Sequence, residues 1–271
     1  MSGPVPVTVM VFTLNEQVNL PHCLGSLDAF NQIIVVDSFS VDETEKIARD
    51  AGVEFYQHEF TGFGDQRNWA LENLELRNDW ILILDADERV PAELASEIAT
   101  KLQDGHSAYR VRRRFHLWGR WLRRSSLYPT WVVRLVHKSH VHYENRGHAE
   151  TQEIQGTIGN LEYDLIDENR KGLDDWYERQ LRYAGNEAEY EWAQEREPIN
   201  VMNLFSADPM TRRHVLKRLA WKMPARAMLY FFYSYILRLG VLDGLAGYRF
   251  CMMKASYQHM IVVKKAELDS A

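Results

Sequence analysis

The chain has 271 residues, of which 46% are hydrophobic and 12% aromatic, and its formal net charge is −6. This length allows one large domain or one domain with an appendage, and the composition excludes a disordered chain. Residues 1–6 contain no signal segment, so secretion is not expected. Cys23 and Cys251 lie too far apart in sequence for a metal or redox motif, and we expect reduced, buried thiols in a cytosolic protein.

Strand and helix signals alternate through the first 85 residues. The second predicted helix has Ser40 and Glu43 at the spacing of a capping box, and Asn19 is placed to cap the first. This alternation predicts a parallel, doubly wound α/β sheet flanked by helices. The predicted strands are 5–12, 33–36, 53–57 and 80–84. One predicted helix begins at Asn19, and two further helices are predicted at 41–51 and 65–76.

Two of these strands end in acidic residues. The second ends in Asp37, and the fourth is followed by Asp85, Asp87 and Glu88. Ligands bind beyond the carboxyl ends of strands in open α/β sheets, so we expect these acids at one edge. Neighbouring carboxylates repel each other unless a cation lies between them, and Mg²⁺ or Mn²⁺ carried by a diphosphate would serve. The alternative is an exposed acidic turn before a helix with Pro91 in its first turn.

A nucleotide site at this edge needs few side chains. Asp37 could accept hydrogen bonds from a base or a ribose hydroxyl. Arg67 could reach a phosphate or the base, because its guanidinium suits planar or bidentate acceptors. No Gly-x-Gly-x-x-Gly follows the first strand and no Walker A lysine loop is present, which disfavours dinucleotide-binding and P-loop proteins.

Four segments, in this order and spacing, resemble the N-terminal half of the family 2 glycosyltransferases with the GT-A fold. They are residues 8–16 (TVMVFTLNE), 35–38 (VVDS), 66–68 (QRN) and 85–88 (DADE). The resemblance implies a UDP-sugar donor, with Arg67 near the nucleotide. It also implies that Asp85, Ala86 and Asp87 form the Asp-x-Asp motif that binds the metal and the diphosphate. The residues implied to hold uridine are Phe12, Thr13, Asn15, Glu16 and Asp37.

Residues 107–150 correspond to the acceptor half of such folds. Seven arginines lie between Arg110 and Arg124, interleaved with aromatic residues. Arginine with aromatics is one composition of nucleic-acid-binding proteins. No such motif accompanies it and residues 1–210 are acidic overall, so we expect no nucleic acid and assign the arginines to a diphosphate-linked acceptor. A solvated strand face is the alternative. Residues 128–135 (YPTWVVRL) resemble a family segment before the acceptor site, which implies acceptor or diphosphate contacts for Trp131 and Arg134.

A second chemical cluster lies at residues 145–150 (NRGHAE). An inverting transferase needs one base to take the proton from the acceptor hydroxyl. In the related lipopolysaccharide-core and exopolysaccharide enzymes a His-Glu pair occupies this place, and this chain resembles that motif with one inserted alanine. The resemblance implies Glu150 as the catalytic base, His148 as a metal or diphosphate ligand, and Arg146 near the diphosphate. An ordinary surface pair is the alternative. Residues 167–173 (DENRKGL) resemble a segment of the same subgroup in which a histidine often comes first, and the sequence assigns it no role.

The C-terminal residues 198–271 are predicted to form a basic, amphipathic helical segment after a catalytic domain at 1–197 and a helix at 173–192. Residues 227–237 (AMLYFFYSYIL) lack charge but are shorter than the roughly 20 residues that span a bilayer. We therefore expect helices in the interface of an anionic membrane. A reentrant pair, a buried helical hairpin and an oligomer interface are the alternatives. The basic residues expected to face lipid are Arg212, Arg213, Lys217, Arg218, Lys222 and Arg226.

These observations together predict an inverting, metal-dependent hexosyltransferase, peripheral or monotopic on the cytoplasmic face of the inner membrane. It would transfer a sugar from a UDP-sugar to a lipid-linked saccharide, of the polyprenyl diphosphate or lipid A-core type, in lipopolysaccharide or exopolysaccharide assembly. The rival hypotheses are a sugar nucleotidyltransferase, which would release pyrophosphate, and a non-catalytic nucleotide-sugar-binding membrane scaffold.

Overall fold

A computed structural model describes residues 3–146, 149–195, 200–221, 223 and 225–270. The chain divides into two compact units. The first comprises Met1–Arg123 and Tyr128–Lys171, and the second comprises Arg124–Leu127 and Gly172–Ala271. The boundary predicted at residue 197 lies outside the described residues, and the long helix before it belongs to the second unit.

Parallel strands alternate with helices in the first part of the first unit, as the sequence predicts. Four parallel strands have the order β3-β2-β1-β4, and helices connect them along the chain. Their apolar residues are buried on both faces of the sheet, which explains the uninterrupted hydrophobic segments. The elements are β1 (Val5–Thr13), α1 (Leu20–Leu24), β2 (Phe30–Asp37), α2 (Thr44–Asp50), β3 (Glu54–Gln57), α3 (Phe63–Asn73) and β4 (Trp80–Asp85).

The same sheet continues through β4-β8-β6-β11-β5 with mixed strand directions. β8 is antiparallel to β4 and β6, whereas β6 and β11 are parallel. The predicted α/β sheet flanked by helices is confirmed, and its antiparallel pairs were not predicted. The elements are β5 (Glu88–Arg89), α4 (Ala92–Lys101), β6 (Ala108–Leu117), β7 (Arg120–Trp121), β8 (Thr130–His137), the separate hairpin β9 (Val141–Arg146) and β10 (Ala149–Ile154), and β11 (Ile158–Asp167).

Two helix starts differ from the prediction. α2 begins at Thr44 and not at residue 41, and the predicted capping box does not form, because the Ser40 hydroxyl accepts from the N–H of Asn15 instead. Asn19 precedes α1 but makes no side-chain cap; its amide donates to Glu16 and accepts from the backbone N–H of Arg170. In both cases contacts with other loops take the polar side chain away from its own helix.

Two apolar layers enclose the sheet. One contains residues of α1, α2 and α4, and the other contains residues of α3 and the β9–β10 hairpin. Ile81, Ile83 and Ala108 belong to the second layer. Because side chains alternate between faces along a strand, this assignment fixes the face on which every later residue of β4 and β6 lies.

The second unit is helical. α5 packs on α8 through Ala184, Ala188 and Ile261. The helix predicted at 173–192 is present and extends to Glu195. The elements are α5 (Leu173–Glu195), a 3₁₀ turn (Val201–Phe205), α6 (Pro209–Trp221), α7 (Arg226–Phe232), a π-helical turn (Tyr233–Leu237), a second 3₁₀ turn (Gly240–Asp243) and α8 (Gly244–Ser270).

Several of the predicted lipid-facing cations are used inside this unit. Arg226 donates to the fully buried Glu191 at 2.7 Å, and Lys265 lies 3.5 Å from the same carboxylate. Arg218 is 6% exposed and donates to the backbone oxygen of Gln194. The expectation that Arg218 and Arg226 face lipid is therefore wrong, because α5 supplies partners for both. Lys222 lies outside the described residues.

Among the described residues, no single helix has both the length and the apolar composition to cross a bilayer. Residues 226–237 and 240–270 meet these two criteria only when they are taken together, and they are bent by 73° where they meet.

Asp243, at the end of the second 3₁₀ turn, holds the short segment Arg124–Leu127. One of its oxygens accepts from the backbone N–H groups of Arg124 and Ser125 at 2.9 and 2.7 Å, and from the Ser125 hydroxyl. This carboxylate is the reason that four residues from the middle of the chain belong to the helical unit.

Candidate functional site

The carboxyl ends of three neighbouring strands form one edge of the sheet. β1 lies between β2 and β4, and Thr13 is paired with Asp37 while Phe12 is paired with Asp85. The expectation that both aspartates share an edge is confirmed. Thr13, Phe12 and the two acids therefore occupy adjacent positions, as a binding site beyond the strand ends requires.

Asp37 is fully buried, and its carboxylate accepts hydrogen bonds from residues at this edge. The Thr13 hydroxyl donates to Oδ1 at 2.8 Å, and the Ser40 backbone N–H donates to Oδ2 at 2.7 Å. The Ser40 hydroxyl also donates to Oδ1. Oδ1 thus accepts two hydrogen bonds, whereas Oδ2 accepts one and has a second lone pair, so a ligand contact at Oδ2 is compatible with these bonds. A direct contact between Asp37 and uridine stays a prediction.

Asn15 joins two of the loops at this edge. Its backbone has a φ of 53°, a left-handed conformation that asparagine tolerates better than most residues. Its N–H donates to the Ser40 hydroxyl at 2.7 Å, and its side-chain oxygen accepts from the N–H of Val41 at 2.9 Å. The loops after β1 and β2 are thus cross-linked by these two hydrogen bonds of Asn15, and Asp37 orders the second loop by accepting two hydrogen bonds from Ser40.

Glu16 faces the segment after β11. Its carboxylate lies 2.6 Å from Nζ of Lys171 and accepts from the amide of Asn19 at 2.8 Å. Burial raises the pKa of Glu16, with a further contribution from the negative charge of Asp87, although Lys171 opposes both effects. Glu16 is therefore within electrostatic range of the Asp85–Glu88 loop.

Arg67 is a buried cation behind Asp85. Its side chain is 4% exposed, and its guanidinium lies 5.5 Å from the ring centre of Phe12 and 5.7 Å from that of Tyr143. Its Nη2 lies 3.4 Å from Oδ1 of Asp85. Burial lowers the pKa of Arg67, whereas Asp85 raises it. The three sequence-predicted residues Phe12, Arg67 and Asp85 are thus brought together.

Arg134 reaches the acids through a β-bulge. In the pairing of β6 with β8, Tyr109 is opposite Leu135 and Arg110 is opposite Val133, so Arg134 is the extra residue. A bulge re-aims one side chain and is frequent beside active sites. Nη2 of Arg134 donates to Glu88 at 2.8 Å and to Asp85. The pairing of β8 with β4 ends at Leu82, three residues before Asp85.

The surroundings of Asp85 and Glu88 shift the pKa values of the two carboxyl groups in opposite directions. Burial acts to raise the pKa of Asp85, but Arg134 and Arg67 together lower it, so Asp85 is ionised. Glu88 is fully buried, and burial together with the charge of Asp85 raises its pKa to about 7. Asp85 is the more exposed of the two, with 41% of its side chain accessible. It is therefore the member of this pair that can meet a ligand.

Asp87 is fixed by the end of β11. Its backbone oxygen accepts from the N–H of Glu168 at 2.9 Å, and its carboxylate accepts from the amide of Asn169 at 3.2 Å. Asp167 is paired with Glu88 across β5 and β11. Burial raises the pKa of Asp167 to about 8, and the charge of Asp87 adds to the effect. Acidic groups are therefore concentrated at this point.

This concentration of carboxylates suits a divalent cation. Within the described ranges, no three His, Cys, Asp or Glu side chains are arranged as a metal-binding group. Mg²⁺ and Mn²⁺ nevertheless bind through one or two carboxylates when substrate phosphates and water supply the other oxygens. Asp85 and Asp87 fit that role, because Asp85 is partly exposed and Asp87 lies in the same short loop, beside the paired carboxylates of Glu88 and Asp167 whose charge a cation would offset.

Residues 167–171, to which the sequence assigned no role, connect the two halves of the edge. Glu168 is 4% exposed and accepts from Arg89, Arg170 and the backbone N–H of Gly119. Lys171 reaches Glu16, and Asn169 reaches Asp87. This segment therefore fastens the loop after β1 to the Asp85–Glu88 loop.

For the predicted residues on the β9–β10 hairpin, the structure describes at most the backbone. Glu150 is paired with Asn145, and Arg146 with Ala149, in the β9–β10 hairpin, but their side chains are outside the described part of the structure. His148 also lies outside the described residues. Their roles as base, metal ligand and diphosphate ligand stay predictions. Ala86 is 3% exposed within the acidic loop.

Trp131 is half-buried on β8, opposite Arg112. Its ring lies 5.0 Å from the guanidinium of Arg110 and 5.4 Å from that of Arg112. Sequence reasoning placed Glu88 at this edge without giving it a role of its own, and it missed Asp167 and Glu168 as parts of the site. The signal available for these two was that they open the segment 167–173, which resembles a segment of related enzymes.

Residues 8–161 match the model of the family described as Glycosyl transferase family 2. The lipopolysaccharide core biosynthesis glycosyltransferase LpsC of Rhizobium meliloti (strain 1021) is 32% identical over 126 residues, covering 44% of this chain and 46% of LpsC. An uncharacterized glycosyltransferase of Rickettsia felis is 34% identical over 111 residues, covering 39% of this chain and 38% of that protein. The aligned region is thus less than half the length of either relative.

Two solved structures are similar at low sequence identity. Staphylococcus aureus TarS 1–349 is 16% identical, with 96% of this chain and 91% of that chain covered and a TM-score of 0.45. Glucosyl-3-phosphoglycerate synthase from Mycobacterium tuberculosis, in complex with Mn²⁺, UDP and phosphoglyceric acid, is 16% identical, with 63% and 72% covered and a TM-score of 0.43.

Proposed function

The chain belongs to glycosyl transferase family 2, and from this premise we propose that it is an inverting, metal-dependent glycosyltransferase with a UDP-sugar donor. The observation that carries the proposal is the convergence of Asp37, Arg67 and Asp85 at one sheet edge. Such an edge offers an acceptor for a nucleoside, a cation for a phosphate and a carboxylate for a metal ion.

The donor would lie across the ends of β1, β2 and β4. Phe12, Thr13, Asn15, Glu16 and Asp37 belong to the cross-linked loops, which would hold uridine in a rigid cradle. Arg67 and Arg134 flank Asp85 and would orient the diphosphate. Asp85 and Asp87 would hold the metal ion, which, when bound, stabilises the charge on the departing diphosphate.

Glu150 is the proposed base. It would take the proton from the acceptor hydroxyl, while attack from the face opposite the diphosphate inverts the anomeric carbon. Its support is the resemblance of residues 145–150 to the His-Glu motif of related enzymes. Arg146 and His148, on the same hairpin, would contact the diphosphate or the metal.

The proposed acceptor is a lipid-linked saccharide of envelope polysaccharide, of the polyprenyl diphosphate or lipid A-core type. The name of LpsC supports lipopolysaccharide core assembly. This substrate requires the enzyme to work at the cytoplasmic face of the inner membrane, and the second unit has a surface suited to it. Exposed apolar residues there include Phe232, Tyr233, Ile236, Leu237, Leu239, Val241, Leu242 and Leu245.

This apolar surface is the proposed membrane contact. It extends over the π-helical turn, the second 3₁₀ turn and the start of α8, and the exposed Arg238 lies between Leu237 and Leu239. An exposed apolar surface with an accompanying cation matches the interface of an anionic bilayer. The surface could also form an oligomer interface, which sedimentation of the lipid-free protein distinguishes.

A donor screen by thermal unfolding tests the activity class. With Mn²⁺ present, UDP and one UDP-sugar should raise Tm, since a ligand that binds only the folded state stabilises it. The stabilising UDP-sugar should be consumed with release of UDP. Release of pyrophosphate would indicate a nucleotidyltransferase, and binding without turnover on any acceptor would indicate a scaffold. Absence of any shift with UDP and Mn²⁺ would contradict the proposal.

A further inference from the structure

A row of arginines on β6, interleaved with tryptophans, lies outside the donor site. We call Arg110, Arg112, Arg114, Trp121 and Trp131 the arginine–tryptophan face. Arg110, Arg112 and Arg114 alternate along β6 and therefore share one face of the sheet. The face is partly accessible to solvent: Arg110 is exposed, and 37% of the Arg114 side chain is accessible.

The arginine–tryptophan face lies on the same side of the sheet as Asp85. Ile81 and Ile83 belong to the apolar layer that also contains Ala108, and Asp85 and Arg110 continue the same alternation. β8 alone separates β4 from β6 in the strand order. Strands are spaced by about 4.8 Å, so the two sites lie roughly 10 Å apart across the sheet. A short oligosaccharide could extend over both.

The aromatic rings hold the guanidinium groups in place. Arg110 and Arg112 lie 5.0 and 5.4 Å from the ring centre of Trp131, and Arg114 lies 4.5 Å from that of Trp121. Guanidinium groups at these distances are attracted by the ring electrons. Long arginine side chains that are already ordered lose less entropy when they bind an anion.

Among the side chains that the structure describes, positive charge is in excess on this face. Arg112 and Arg114 share one carboxylate, that of the buried Asp164, which also accepts from the Tyr128 hydroxyl. Arg110 donates to the neutral side-chain oxygen of Asn160 at 2.6 Å. A guanidinium has five N–H groups, and these bonds use only some of them. Ordered, partly exposed donors thus remain for planar or tetrahedral anionic oxygens.

We propose that the arginine–tryptophan face binds an anionic group, a carboxylate or a phosphate, carried by the saccharide acceptor. This inference rests on the proposed transferase function and deepens it by assigning the recognition of an anionic group on the acceptor to named side chains of β6, β7 and β8. The anionic group lies over β6 and fixes the register of the acceptor. The sugar that bears the reacting hydroxyl then extends past β8 toward Asp85.

Calorimetric binding of three trisaccharides tests the proposal. The full chain is saturated with UDP and Mn²⁺, so that added anions cannot occupy the donor site. Trigalacturonate provides carboxylates, maltotriose 1-phosphate provides a phosphate, and maltotriose is the neutral reference. At least one anionic trisaccharide should bind tenfold or more tightly than maltotriose, and which one does so identifies the anion. Equal affinities for all three would overturn the inference.

The double variant Arg110→Gln/Arg114→Gln should lose this preference and keep its affinity for UDP. Arg49→Gln is the matched control, because Arg49 also pairs with a carboxylate and stacks on Phe55 at 5.1 Å, but lies on α2. Arg110→Gln alone, at an exposed position, should lose at least threefold and provides the test if the double variant does not fold. A preference unchanged in Arg110→Gln would also overturn the inference.

The two proposals fail separately. If the wild-type chain does not bind UDP with Mn²⁺, the proposed transferase function is contradicted. If UDP binds but the saccharides are not distinguished, only the acidic acceptor is contradicted.

Discussion

Nη2 of Arg134 lies 2.5 Å from Oδ2 of Asp85, so this partly exposed acid already has a cation beside it. The same nitrogen donates to Glu88 at 2.8 Å. Burial alone would lower the pKa of Arg134, but the charges of Asp85 and Glu88 raise it by a larger amount. The guanidinium is therefore charged. We expect Arg134 to turn from Asp85 to the diphosphate when the donor and the metal bind.

Arg134→Gln should destabilise the first unit. Two neighbouring carboxylates would lose their shared cation, and breaking a buried ion pair typically costs about 3–5 kcal/mol. Unfolding in urea measures the loss. Arg77→Gln is the control, since Arg77 pairs with Glu54 at the surface, where a pair contributes about 0–1 kcal/mol. Equal stability of the two variants would contradict the role of Arg134.

Mn²⁺ should partly restore the stability of Arg134→Gln. If the metal binds at Asp85 and Asp87, it replaces the missing positive charge, and the Mn²⁺-dependent rise in Tm should exceed that of the wild type. Asp87→Asn added to Arg134→Gln should remove this rise. A Tm of Arg134→Gln that does not respond to Mn²⁺ would count against a metal at these acids.

Asp37→Asn and Thr13→Val separate two roles of the edge. Asp37→Asn replaces one acceptor oxygen by an NH₂ group, which then faces the donating N–H and O–H groups of Thr13 and Ser40. Each buried hydrogen bond that is lost in this way costs about 1–3 kcal/mol. Thr13→Val removes one donor and keeps the carboxylate. If Asp37 contacts uridine, UDP affinity should fall about tenfold in Asp37→Asn, or about 1.4 kcal/mol, and much less in Thr13→Val. Equal falls would indicate a purely architectural Asp37.

The parallel half of the sheet could be predicted because β1, β2 and β4 are apolar segments buried on both faces, and each strand ends at a polar break. The carboxyl ends of parallel strands also share an edge, so the sequence alone predicts that Asp37 and Asp85 lie close together. The bulge at Arg134 could not be predicted, because a bulge depends on the register of β8 against β6 and leaves no pattern in the local sequence. The resemblance, and not the spacing, indicated Arg134.

Glu150→Gln should lower kcat by at least a hundredfold and leave UDP affinity within twofold of the wild type. An amide cannot accept the acceptor proton, and general-base catalysis contributes about 10²–10⁴ in rate. Glu153→Gln, on the same strand β10, is the control. Retained turnover in Glu150→Gln would assign the base to another residue.

Phe232→Ser/Leu237→Ser/Leu242→Ser should release the protein from vesicles of phosphatidylethanolamine and phosphatidylglycerol in a flotation assay. These three exposed residues belong to the proposed membrane contact, so their loss should not affect UDP binding. Val262→Ser/Val263→Ser, exposed farther along α8, is the control. Flotation of the triple variant like the wild type would exclude this surface.

The helical unit was predicted less completely than the sheet. The long helix α5 follows from its amphipathic pattern, but the partners of the cations on the later helices do not follow from any local pattern. Arg218 and Arg226 lie in a basic stretch, yet Gln194 and Glu191 on α5 accept their hydrogen bonds. Charge patterns along one segment do not reveal that a distant helix supplies a buried carboxylate, and for this reason the lipid-facing role assigned to both residues was wrong.

The anchoring of residues 124–127 by Asp243 has a consequence for modularity. A shortened protein that ends before α6 would keep those four residues but leave two backbone amides and a serine hydroxyl without their carboxylate. The C-terminal helices are therefore not a detachable tail. Chimaeras that exchange them between related enzymes should succeed only when the short segment after Arg123 is exchanged with them.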